Sequence, residues 1–241
     1  HRGGGAETLA LTSITGSLSE LKAIYDKKST TAPGIAGIED APLVVEKGNL
    51  SAADLKFLDD NTTGTSAAIT ANTAGTSLTG LIDDVIYVLD AADDGDGTGT
   101  NDSTIEFGGN AAAIPVTITD VTLSATKVLD LIDDNITNNG PLTTGQITLV
   151  SSNLEGSYTD LVAITGTKGP GLTLPPLGLG AINLSITGTP SETEVATLMA
   201  DTTGVVTATI TGRTVAQLLH DGNGLVEPIS SSFTGHNLTI K

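Results

Sequence analysis

The chain has 241 residues, 28 acidic against 10 basic side chains, a net charge of −18 and no cysteine. That balance argues against nucleic acid and anionic membrane surfaces, which need clustered Lys and Arg, and it leaves no disulfide framework or thiolate metal site. A 38% hydrophobic content argues against wholesale disorder, yet only 2% of residues are aromatic and Trp is absent, so Leu, Ile, Val and Ala must fill the core in thin, regular layers.

The start, "HRGGGAETLA", has neither Met nor a signal-peptide pattern and reads as a cleaved mature end or a piece of a longer chain. No run of about 18 apolar residues is present, so no spanning helix is expected. The first helical phrase lies within 14–34, where Ser17 or Ser19 can cap a helix bearing Leu18, Leu21 and Ile24 or Tyr25. In the second, "LSAADLKFLDDNTTG" (50–64), Ser51 caps, Asp54 complements the positive helix end, Leu55 and Leu58 face inward, and Gly64 supplies a left-handed exit. The third, at 76–93, places Leu78, Leu81, Ile82, Val85, Ile86 and Leu89 on one stripe. Further copies begin near Ser124, Ser157, Ser191 and Thr214.

Between these phrases lie runs rich in Thr, Val and Ile: 66–72, 103–109, 114–121, 145–152, 181–188, 205–212 and 236–241. Several alternate apolar with polar residues, the period of half-buried strands. The unit is strand, short capped helix, Asp/Asn/Thr/Gly turn, strand. The expected fold is mainly β with short capped helices, its strand–helix–turn repeats stacked into a solenoid-like or layered β array. A β-sandwich, pilin-like subunit is the alternative. Residues 1–165 form an N-terminal repeat region, the Gly/Pro-rich segment 166–180 a crossing, and 181–241 a C-terminal repeat region ending in a candidate donor strand.

The phrases "LSAADLKFLDDNTTG" and "ADTTGVVTATITGRTVAQLL" (200–219) resemble repeats of very large surface proteins of aquatic bacteria, notably cyanobacteria. There a SAADLxxLDxxTTG phrase alternates with a GVVTATITG strand. The resemblance covers about half of this chain and implies an exported surface or filament role. The insertions at 90–102 and 166–180 depart from the regular period.

Candidate chemistry is sparse. Asp93, Asp94, Asp96, Asn101 and Asp102 set hard oxygen ligands on a glycine-flexed loop, as calcium requires. The match to a twelve-residue calcium loop is partial, and a solvated acidic turn stands as the other reading. The tandem acids Asp59-Asp60, Asp83-Asp84 and Asp133-Asp134 read as solvated helix faces. His1, His220 and His236 have no ligand-spaced partners, so no transition metal is expected. His220 and Asp221 lack a nucleophile elbow, and no phosphate or dinucleotide fingerprint occurs. No catalytic residue and no cofactor other than calcium is expected, and the chain reads as no enzyme. Six sequons, among them Asn49, Asn183 and Asn237, are expected by chance in so Asn- and Thr-rich a chain.

The ends carry the assembly expectation. Phe233, Leu238 and Ile240 form a terminal strand pattern that either closes its own sheet or completes a neighbour's, and Gly3, Gly4 and Gly5 could thread across an adjoining subunit. The expected partner is the chain itself, in a filament, sheath or surface layer outside the cell. An adhesin or phage-fibre-like module, bound to a cell surface or host ligand through a calcium-supported loop, is the alternative.

Overall fold

The computed structural model describes residues 11–27, 38, 40–46, 48–62, 69–72, 77–93, 105–108, 114–132, 146–166, 172–173, 182–210 and 237–240. Within them the helical phrases fold as their caps dictate. Helix α1 (Leu18–Tyr25) begins at Ser17, whose hydroxyl accepts from the Glu20 N–H while the Glu20 carboxylate returns to the Ser17 N–H. The Ser17 hydroxyl, and then its backbone N–H, hold the Glu20 carboxyl below its ordinary value. This contribution is full above the usual carboxylate range and is lost as pH falls through the lowered value. Helix α2 (Ala52–Asn61) starts at Ser51, which accepts from the Asp54 N–H. Helix α3 spans Ile82–Asp93, α4 Ala125–Ile132, α5 Tyr158–Gly166 and α6 Glu192–Asp201. Ser157 accepts from the Asp160 N–H at the start of α5, and Ser191 forms a second reciprocal box with Glu194 on α6.

Each helix buries a stripe three residues apart: Ala52, Leu55 and Leu58 on α2, Ala125, Val128 and Leu131 on α4, Val195 and Leu198 on α6. One expectation needs correction. The third stripe does not begin at Leu78, because α3 starts at Ile82; Leu78 is a buried strand residue, and Leu81 stands 52% exposed at the turn between strand and helix. Val88, not counted in the expected stripe, is buried on α3.

Fourteen short strands lie among the described residues, arranged in three sheets. The first is β1 (Ile14–Gly16), β2 (Leu43–Val45), β4 (Ile69–Asn72) and β6 (Ile105–Gly108). The second is β3 (Leu50–Ser51), β5 (Leu78–Gly80), β7 (Val116–Ile118), β9 (Ile147–Leu149) and β11 (Leu172–Thr173). The third is β8 (Leu123–Ser124), β10 (Asn153–Gly156), β12 (Asn183–Ile186), β13 (Val206–Ile210) and β14 (Asn237–Ile240). Every pairing among the described residues is parallel, and each sheet grows in chain order. Paired positions are separated by 22 residues at the closest (Leu184 to Val206) and 38 at the widest (Leu78 to Val116), room for the crossover that parallel strands need. The helices follow the same order, α1 packing on α2, α2 on α3, and so on to α6.

Two expectations change here. Helices hold more of the described residues than strands do, so the arrangement is α/β and not mainly β. A pilin-like sandwich is built from antiparallel strands, and the parallel pairings exclude it. Both follow from one cause. A helix placed between successive strands returns the chain to the same edge, which makes every neighbour parallel.

The core is aliphatic, as the composition requires: Leu21, Leu43, Leu55, Ile69, Leu78, Ile118 and Leu131 are fully buried. Each such side chain contributes about 1.5–3 kcal/mol over its exposed state. The few aromatics add to it at the edges; Tyr25 is buried, and its hydroxyl donates to the Ile38 carbonyl at 2.7 Å.

A polar spine fixes the register of the third sheet. Buried Ser151 donates to the Val121 carbonyl at 2.7 Å and accepts from the Asn153 N–H. Asn183 Nδ2 donates to Asn153 Oδ1 at 3.1 Å, and Asn183 Oδ1 accepts from the Val205 N–H at 2.8 Å. One side chain thus ties three successive units together. Asn183→Ala leaves the Val205 N–H without that acceptor, so a loss of about 1–2 kcal/mol is expected in urea unfolding. An unchanged midpoint would show that water serves the spine equally well.

Candidate functional site

The predicted site residues fall in different places. Asp93 closes α3, while Asp94, Asp96, Asn101 and Asp102 lie outside the described residues. Gly3, Gly4, Gly5 and Phe233 lie outside them as well. Leu238 and Ile240 belong to β14, in register with Ala208 and Ile210 of β13. The terminal strand therefore extends the chain's own third sheet along one of its edges. Its other edge pairs with no described residue.

Each sheet has two end strands, and β6 ends the first sheet while β8 starts the third. β1 and β3 start the first and second sheets, and β11 and β14 end the second and third. An end strand in a parallel sheet presents a row of N–H and C=O groups pointing outward, a template for one more parallel strand. In the interior the same row is already used: Leu184 N–H donates to Val205 O at 2.9 Å, and Val116 N–H to Gln146 O at 2.8 Å.

Polar ties between neighbouring helices run from α1 to α5, and of the tandem acids Asp59, Asp60 and Asp83 take part in them, while Asp133 and Asp134 lie outside the described residues. Lys22 of α1 sits 4.5 Å over the Phe57 ring of α2, and Lys56 of α2 sits 4.2 Å over the Tyr87 ring of α3. The Tyr87 hydroxyl donates back to Asp59 Oδ2 at 2.5 Å. Lys127 of α4 pairs with Asp83 of α3, and Thr126 of α4 donates to Asp160 of α5 at 3.2 Å. Asp59, Asp60 and Asp83 are thus not merely a solvated face; Lys56 bridges to Asp60 within α2 at 2.9 Å. Partial burial, and then the Asp59 carboxylate, push the Tyr87 hydroxyl well above its ordinary value, so it remains a donor across the physiological range. Three of the ten basic residues serve these ties. Exposed ion pairs of this kind contribute about 0.2–1 kcal/mol each, and a cation over an aromatic ring at an exposed site adds about 0.5–1 kcal/mol. They set helix spacing more than they stabilise the fold.

No family model, curated protein or solved structure matches this chain.

Among the described residues no group of three or more His, Asp or Glu is placed to hold a metal ion, and no helix is long and apolar enough to cross a membrane. The signal for the helix ties was present in the sequence as Lys22 and Lys56, each following an inward leucine, and the aromatics Phe57 and Tyr87. It became legible only with the helices side by side.

Proposed function

We propose that this chain is a structural subunit of an extracellular filament, sheath or surface layer, a solenoid-like stack that polymerises head to tail. One observation carries the reading. All three sheets grow in one direction by parallel addition of the next unit, so the last strand of one copy and the first of the next offer the same bonding pattern used inside. Contacts of this heterologous kind give open fibres unless a rotation closes them into a ring. Successive units contribute little but their aliphatic stripes, caps and inter-helix ties, and those serve shape. The likeness of its phrases to repeats of exported surface proteins supports a place at the cell surface.

Electron microscopy of the concentrated protein tests this. Unbranched filaments with subunits stacked along the sheet-growth direction are expected. A monodisperse monomer at high concentration, with the native ends intact, would overturn it.

A further inference from the structure

Among the described residues, the outward face of the second sheet differs from those of the other two sheets. Strand alternation sends Leu78, Val116, Ile118, Ile147 and Leu149 into the core, which turns the residues between them outward. Thr79, Thr117 and Thr148 are direct register partners, and Thr173 occupies the next position in the same row. No hydrogen bond among the described residues engages the hydroxyls of Thr79, Thr117 or Thr148. A flanking row continues the register with Leu81, Thr119 and Val150: the Thr119 N–H donates to Gly80 O, and the Val150 N–H to Ile118 O. Leu81 is 52% exposed and Val150 63% exposed. Neither row carries a charge, whereas the outward positions of the flanking sheets include Glu106 and Glu155.

We propose that this uncharged threonine face is where two copies of the chain associate side by side. Two bodies of net charge −18 repel wherever carboxylates meet, so a face without carboxylates is where copies can approach. A sugar lattice would call for aromatic platforms, and neither row has any. The threonine row is self-complementary, since each hydroxyl both donates and accepts while its methyl packs against an aliphatic neighbour. Five strands about 4.8 Å apart give a face roughly 20 Å across, small against the ~800 Å² per partner of a standard interface. A single pair is therefore weak, and repetition along a stack multiplies it. In that respect the inference rests on the head-to-tail reading and supplies its lateral contact, but the pair itself needs no polymer.

Sedimentation velocity over a range of protein concentrations tests it. The wild-type chain is expected to dimerise reversibly, and more tightly in 0.15 M salt than in ~0.01 M salt, because screening relieves the general repulsion as the Debye length falls from about 30 to about 8 Å. Thr117→Glu and, independently, Val150→Asp place like charges in the contact and should weaken the dimer about tenfold or more. Thr117→Val, which keeps the shape, should retain it. Folding is not at stake in the acidic variants, because Glu106 and Glu155 already occupy outward strand positions, and circular dichroism checks it. A wild-type monomer under all conditions, a dimer indifferent to both acidic variants, or one that weakens with salt would each overturn the proposal. So would a monomer that uses this face to retard ice growth or to bind an insoluble glycan. Microscopy separates the two readings: dimers without filaments sink only the polymer, and wild-type filaments that never pair sink only this face.

Discussion

Alanine at Gly204 is expected to destabilise the C-terminal units by about 3 kcal/mol, at the upper end of what an inserted methyl does in a closed site. A Cβ there would stand 2.2 Å from the Ile182 carbonyl oxygen, 2.5 Å from its carbon and 2.9 Å from the Asn183 nitrogen. All three are backbone atoms, and neighbouring bonds hold them in place. The Thr202 hydroxyl donates to that same Ile182 oxygen at 2.7 Å and accepts from the Gly204 N–H at 2.9 Å. Asn183 is held by the Val205 N–H at its side chain and by the Ser152 carbonyl at its own N–H. The corner after α6 can open only by breaking that set. Reduced freedom of the unfolded chain returns about 0.4–1 kcal/mol, too little to change the sign. Gly48 is the control, since a Cβ there meets nothing within 4 Å, and its alanine variant should stay within about 0.5 kcal/mol of wild type. Urea unfolding gives the size of the loss. Hydrogen exchange gives its place: if each unit is coupled only to its neighbours, amides of β12 and β13 should lose protection while those of α1 to α3 keep theirs. Equal protection along the whole chain would mean that the units are coupled globally.

What could be read from the sequence, and what could not, follows from the range of each interaction. Four helix starts were legible because a cap is local: Ser17, Ser51, Ser157 and Ser191 each lie three residues before the N–H they accept from. The start of α3 was not, because the Ile82 N–H donates to Asp120, 38 residues on. The longer strands were legible for the same reason, since Val206–Ile210 displays its alternation within five residues. The short strands before the helices were not. Leu50–Ser51 and Leu123–Ser124 are two residues long, too short to show a period, and Leu78 with Thr79 could be absorbed into the stripe of the following helix. Only pairing across 28 residues to Leu50 and 38 to Val116 identifies Leu78 as strand, and pairing across 31 to Leu154 identifies Leu123. The parallel direction was hidden likewise, because the pattern of one strand does not say on which side the next will lie. Leu238 and Ile240 lie on a strand, as their alternation predicts, and its pairing within the chain depends on Thr207 to Ile210, some 30 positions earlier. The threonine face is the clearest case. Thr79, Thr117 and Thr148 are unremarkable in a chain this rich in threonine, and become a row only once three units are superposed.

Strand register also decides how one unit is laid on the next. β10 runs beside β8 with Glu155 opposite Ser124, so Gly156 comes level with Ala125, where the preceding unit has already turned into α4. A Cβ on Gly156 would stand 2.5 Å from the Ala125 Cβ, and one on Gly80 2.8 Å from the Ala52 Cβ at the start of α2. The same juxtaposition thus occurs twice, a glycine in the incoming strand over an alanine that opens the earlier helix. Gly156→Ala should cost about 2 kcal/mol by overpacking, and Ala125→Gly about 1 kcal/mol through helix propensity and lost contact. If the contact is a true pair, the double variant restores the total volume and is more stable than Gly156→Ala alone, with a coupling of about 2 kcal/mol between the sites. Simple additivity in the unfolding free energies would refute the pairing, and with it the notion that phrases reading Leu-Ser-Ala and Leu-x-Gly are complementary halves of one joint. The joint also limits which units can follow each other. A unit opening with Ala at the helix start needs a successor with Gly at the matching strand position, so the order of the units is written into pairs of small residues about 30 apart and not into any single repeat.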